Sequence, residues 1–119
     1  MYPFRFGLGS EALDIAQPSG LDENAKMLTW NWREGGYTTH VVGKWHLGWC
    51  KKAYRPLSRG FDSFFGVLGG QNDYLKHTVT PDRVLDYFDG EKIVHSTENV
   101  QKDFTDRTIQ IARVIIIIN

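Results

Sequence analysis

The sequence predicts an α/β fold, and three observations carry that expectation. An amphipathic segment at helical spacing is followed by a Gly-Gly stop. A short β-branched run comes directly after it, and further on an Asp-Gly turn separates two apolar runs. The expected order is a helix–strand unit, a β-hairpin and a second helix. Residues 1–20 precede these elements with two prolines, three glycines and no sustained periodicity, so they read as loop, anchored by Tyr2, Phe4 and Phe6.

Asp22 is placed to cap a helix running to about Glu34, with Leu21, Ala25, Leu28 and Trp32 as its apolar face. Gly35-Gly36 stops it, because glycine adopts the left-handed conformation that closes helices. From Tyr37 to Gly43 the chain alternates and is rich in β-branched residues, which predicts a strand. Residues 49–59 are basic and irregular, and Pro56 excludes a helix there. Gly60-Phe61-Asp62-Ser63-Phe64-Phe65-Gly66 reads as an aromatic segment packed against the sheet, and 67–74 as a flexible loop. Residues 84–88 and 92–95 flank Asp89-Gly90-Glu91 as a hairpin. Thr97 caps a second helix to about Ala112, with Val100, Phe104, Thr108 and Ile111 on one face. The four consecutive isoleucines 115–118 are an aggregation hazard unless they form a buried strand. No repeat or linker interrupts the 119 residues, which form one structural unit.

Charge and cysteine exclude several function classes. Formal net charge is zero, so the whole chain carries no electrostatic footprint for nucleic acid. The stacking platform suggested by Trp45, Trp49 and Tyr54 among Lys51, Lys52 and Arg55 is therefore weakly supported. No apolar run approaches the ~20 residues of a membrane-spanning helix. The N-terminus has no signal-peptide character and no glycosylation sequon occurs, so no route out of the cytosol is expected for the sequence as written. Cys50 is the only cysteine, which rules out an intrachain disulfide. A zinc site from His46, Cys50 and His40 would lack the four ligands such sites use. His40 reads as structural, and His77 and His95 as solvated.

The candidate site is the carboxyl end of the predicted strand. There Lys44 and His46 lie two residues apart, on one face of an extended chain, with Trp45 turned the other way. Ligands of open α/β sheets bind beyond the carboxyl ends of strands. No acidic residue lies between Glu34 and Asp62, while Lys44, Lys51, Lys52, Arg55 and Arg59 all do. A locally basic segment of this kind favours an anionic ligand.

Gly35-Gly36-Tyr37-Thr38-Thr39-His40-Val41-Val42-Gly43-Lys44-Trp45-His46-Leu47-Gly48 resembles the second signature region of the type I sulfatases. The resemblance is greatest to the arylsulfatase B (N-acetylgalactosamine-4-sulfatase) group. Tyr2-Pro3-Phe4-Arg5-Phe6-Gly7-Leu8, Leu21-Asp22-Glu23, Arg59 to Gly66, and Tyr87-Phe88-Asp89-Gly90 are similar to further family blocks in the same order. Together they run from about residue 2 to residue 112. The resemblance implies the alkaline-phosphatase-like α/β fold and hydrolysis of sulfate esters by a formylglycine beside calcium, in lysosomal or secreted enzymes. It assigns Lys44 to sulfate and formylglycine contact. It assigns His46 to the formylglycine hydroxyl and to the expulsion of sulfate, and it leaves Asp62 and Asp73 structural or unassigned rather than an acid/base pair. The chemistry suits both types, since a fixed ammonium stabilises charge building on sulfate oxygens and imidazole moves protons near neutral pH.

The family's Cys-x-Pro-x-Arg, its calcium-ligating Asp-Asp and Asp-Asn, and its later sulfate-gripping lysine and histidine have no counterpart in these 119 residues. Trp49-Cys50-Lys51-Lys52 lacks the context of the nucleophile. The expectation is a partial sulfatase catalytic domain spanning 1–119, inactive alone, without metal ligands of its own. Its substrate class would be a sulfated sugar or aryl sulfate ester, with neither nucleic acid nor membrane as partner. The alternative is a non-catalytic sulfatase-like fragment that binds an anionic sugar, or a full-length sulfatase, through the basic segment.

Overall fold

Helix α1 spans Leu28–Glu34, in a computed structural model that describes residue 13 and residues 18–70, 72–73, 78–79, 84–95 and 105–110. It is shorter than its periodicity predicts. Asp22 does not cap it; its Oδ1 instead accepts the Asn24 amide at 2.8 Å and closes a turn upstream. The residue at the N-cap is Met27, with no side-chain cap. The helix ends as its glycines require. The Gly36 amide donates to Arg33 O at 3.0 Å and the Tyr37 amide to Trp32 O at 2.9 Å, with Gly36 at φ +83°. That pair of bonds is a Schellman stop, which needs a residue in the left-handed region.

The predicted apolar face of the helix is not the buried one. Leu28 and Trp32 are 59% and 47% exposed, whereas Thr29 is buried and donates to Arg59 O at 2.7 Å. Leu21 and Ala25 precede the helix, so the 3.6-residue period linking them to Leu28 has no helix to act through.

Strand β1 covers His40–Lys44 and pairs in parallel with β2, Ser63–Val67, in the register His40↔Ser63 to Lys44↔Val67. The aromatic segment is thus a strand of the sheet rather than a layer on it. Phe64 enters one core cluster with Trp45, Leu68 and Phe88; Phe65 and Val67 enter another with Tyr87. A strand buried on both faces reads as a continuous apolar run without alternation, so the period-2 signal is lost. Full burial of each Phe contributes about 1.5–3 kcal/mol. The crossover from β1 to β2 contains two 3₁₀ turns, Lys52–Tyr54 and Pro56–Arg59, where parallel pairs more often carry an α-helix.

The hairpin forms from Tyr87 to Val94, whose amide donates to Tyr87 O at 2.8 Å, but does not extend to Val84. Strand β6 (Phe88–Asp89) pairs with β7 (Lys92–Ile93) around Gly90-Glu91, and β6 pairs with β2 to give the sheet order β1-β2-β6-β7. Val84–Leu85 is β5 and leaves the hairpin. It joins β4 (Thr78–Val79), which pairs with β3 (Asn72–Asp73), in a second sheet. The run divides at Asp86, which is 1% exposed. Residues 105–110 are helical, within the second predicted helix. Arg107 there pairs with Asp89 and lies 4.7 Å over the Phe65 ring. Val100, Phe104 and Ile111, the cap Thr97, the loop anchors Tyr2, Phe4 and Phe6, and the isoleucine run lie outside the described residues. The α/β class stands.

Candidate functional site

Lys44 is the last residue of β1, and its side chain is exposed with no hydrogen bond or ion pair among the described residues. Trp45 turns inward as alternation requires. Its indole is 8% exposed, meets Phe61 edge-on at 5.7 Å, and donates Nε1–H to Tyr54 O at 2.9 Å.

His46 departs from the predicted geometry. Its φ is +55°, in the left-handed region that a non-glycine residue occupies at a cost of about 1–3 kcal/mol. The strand ends two residues earlier, so the i, i+2 rule that would set its ring beside Lys44 does not apply. No hydrogen bond or ion pair joins the two side chains. What holds His46 comes from elsewhere. Its amide donates to Leu68 O at 3.0 Å, extending the parallel pairing past β1. Its Nε2–H donates to Leu13 O at 2.7 Å. A nitrogen facing a carbonyl must carry the proton, so in the neutral ring Nδ1 is left as the acceptor. Gly70 lies against the imidazole: a Cβ there would sit 2.4 Å from Cε1 and 2.5 Å from Nε2. No side chain fits at position 70 unless the ring moves.

Residues 68–70, which include Gly70, and Asn72 hang on Asp86. This carboxylate accepts the Leu68 amide at 3.0 Å, the Gly69 amide at 2.8 Å and Asn72 Nδ2 at 2.8 Å. From sequence, 67–74 is expected as a flexible loop and Asp86 as one residue of a hairpin strand. The available signal was an aspartate inside the apolar run Val84-Leu85-Asp86-Tyr87-Phe88. A charged residue there must be buried and fully hydrogen-bonded, or must break the strand. It does both.

The basic segment is largely neutralised in space, although no acid lies near it in sequence. Lys51 pairs with Glu23 at 3.5 Å and Lys52 with Glu91 at 3.1 Å. Arg55 donates Nε–H to Trp49 O at 3.2 Å and stacks over Phe88. Arg59 is 2% exposed and donates to Glu23 O at 2.9 Å and Ala25 O at 2.8 Å, so it is a structural clamp. Burial lowers its pKa, with Asp22 and Glu23 acting in the opposite direction. Of the five cations, Lys44 is the one left exposed and unpaired among the described residues.

The remaining polar candidates are structural. Asp62 accepts the Thr39 amide at 2.7 Å and its hydroxyl at 3.0 Å, which hold its carboxyl below the usual carboxylate range; Arg33, at 3.6 Å, adds a smaller effect. His40 Nδ1 meets Ser63 Oγ at 2.7 Å. His95 is exposed, and His77 lies outside the described residues. Cys50 is exposed and free. Calcium takes six to eight oxygen ligands, but the described residues bring no three His, Cys, Asp or Glu side chains together. The Asp86 and Asp62 oxygens are already committed to N–H and O–H donors. Among the described residues the donor set does not fit that metal.

The arrangement is one of known type. The chain superposes on the crystal structure of Ps i-CgsB with a TM-score of 0.77 over 97% of its length, at 22% identity, covering 28% of that chain. The same protein in complex with k-i-k-neocarrahexaose gives 0.76 over 96%. These likenesses define the fold. Residues 2–113 match the sequence profile of the Sulfatase family, and the chain belongs to that family. It is 43% identical over 76 residues to mouse arylsulfatase J and 40% identical over 53 residues to human arylsulfatase G. It is 38% identical over 47 residues to human N-acetylgalactosamine-6-sulfatase. Those alignments take in 64%, 44% and 40% of this chain, and 13%, 10% and 9% of the respective relatives. The chain therefore spans only a small part of the length of the relatives it matches.

Proposed function

We propose that residues 1–119 are part of a sulfatase catalytic domain and carry one side of its sulfate-ester site, with Lys44 binding sulfate and His46 moving a proton. We further place the chain in the arylsulfatase B group, on the motif block from Gly35 to Gly48. The observation that carries the reading is the end of β1. Among the described residues it leaves Lys44 exposed and unpaired, two residues from an imidazole whose Nε2 is occupied and whose Nδ1 has no partner. An ammonium there neutralises sulfate oxygens, and an imidazole acceptor takes a proton at neutral pH. The relatives are arylsulfatases and a hexosamine sulfatase, which favours a sulfated sugar or aryl sulfate ester as the ligand class.

In the family, formylglycine supplies the nucleophile and calcium steadies sulfate. The sequence contains no nucleophile motif and the described residues bring together no ligand set that fits calcium, so on this reading the chain binds the anion without turning it over. The test is a sulfate titration of the chain fused to a soluble carrier, followed by ¹⁵N NMR, beside an aryl sulfate assay with calcium. Sulfate should perturb the Lys44 and His46 side-chain signals, and Lys44→Ala should weaken binding about tenfold. No turnover above the Lys44→Ala background is expected. Binding unaffected by Lys44→Ala, or turnover above that background, overturns the proposal.

A further inference from the structure

The structure assigns Asp86 as the positioning residue for the His46 imidazole, acting through the backbone of residues 68–70. The inference rests on reading His46 as part of the sulfate site, and its geometry is independent of any ligand. Asp86 is 1% exposed and spends its carboxylate on the Leu68 and Gly69 amides and on Asn72 Nδ2. Three N–H donors around one buried carboxylate form charge-assisted bonds, stronger than neutral ones. They fix two consecutive amides of the segment beside His46.

That segment touches His46 twice. Leu68 O accepts the His46 amide, which sets the backbone at the left-handed residue. Gly70, one residue past the second anchored amide, lies against the ring face. A ring with contact on one face and a carbonyl at Nε2 is held in one tautomer and one orientation. Release of the turn frees the ring to rotate away from Leu13 O, and neither nitrogen is then selected. Asp86 touches neither the ring nor a ligand, so its effect on chemistry is indirect.

The experiment uses the carrier fusion labelled with ¹⁵N-histidine, with His46 assigned through His46→Gln, at a pH where the ring is neutral. Ring ¹⁵N shifts distinguish the two tautomers. Wild type should show the Nε2–H form predominating. Asp86→Asn should give averaged shifts of a tautomer mixture, and Asp86→Glu should restore them in part. Gly70→Ala, which leaves the three bonds to Asp86 in place, should disturb the ring in the same way. If Asp86→Asn does not fold, Asn72→Ala removes one donor from the carboxylate at a half-buried position and should move the shifts in the same direction, by less. Wild-type ring shifts in folded Asp86→Asn, or in Asn72→Ala where Asp86→Asn is unfolded, overturn the assignment. A sulfate titration on the same samples reports separately on the functional reading: unchanged sulfate affinity with an altered ring counts against His46 as a sulfate contact and leaves the role of Asp86 intact.

Discussion

Asp62 and Thr39 tie the start of β1 to the end of the crossover through reciprocal bonds. Asp62 accepts the Thr39 amide and hydroxyl, while Thr39 O accepts the Asp62 amide at 2.7 Å. Thr39 is also buried, and its single hydroxyl proton is shared between Asp62 Oδ2 and Gly60 O, the latter at 2.7 Å. Because these bonds favour the ionised carboxylate, the folded pKa of Asp62 lies below its unfolded value of about 3.9. Its stabilisation is therefore fully present above that value and disappears as pH falls through the folded pKa. Asp62→Asn should lower Tm by a constant amount above about pH 5, and the gap should shrink steadily toward pH 3. Thermal melts across that range check this, and a gap that widens on acidification would contradict it. This pairing could not be read from sequence. Thr39 and Asp62 are twenty-three residues apart, and only the parallel register of β1 on β2 makes them neighbours.

At the scale of elements, the chain was legible where local rules decide the outcome. Gly35-Gly36 stops α1 because the stop is made by three adjacent residues, and the Asp-Gly turn folds for the same reason. Lys44 was placed correctly at a strand end because strand alternation holds as far as Lys44. It fails at His46, where pairing to Leu68 and contact with Gly70 override it. The buried face of α1 was misread because Thr29 is chosen by a carbonyl thirty residues away. Strand β2 was missed because its two faces are both apolar. Arg59 shows the same non-local logic. It joins the second 3₁₀ turn to the two carbonyls that precede α1, and its Nε has no partner among the described residues. Arg59→Met should cost about 2–4 kcal/mol, because two carbonyls lose their donors while the side-chain volume is kept. Urea unfolding with an unchanged m-value is the measurement. A loss below about 0.5 kcal/mol would mean that water replaces the guanidinium.

For the whole molecule, the chain matches only a small part of each relative's length, and its surface is consistent with that. Among the described residues β1 pairs on one side only, and Leu28, Trp32 and Tyr37 are 59%, 47% and 58% exposed. Unpaired strand edges beside apolar side chains promote association. Without its carrier, the chain should scatter light on warming at a temperature that falls as concentration rises. A sharp, reversible, concentration-independent transition of a monomer would contradict this. The bonds at Asp86 also have a consequence in time. Leu68, Gly69 and Asn72 leave the ribosome well before the carboxylate that holds them, and His46 precedes Asp86 by forty residues. At ordinary synthesis rates that interval is roughly 2–8 s. Strand β1 can pair as soon as β2 has emerged, but the imidazole at its end waits for a residue in a later element. The histidine is made early and set in place late.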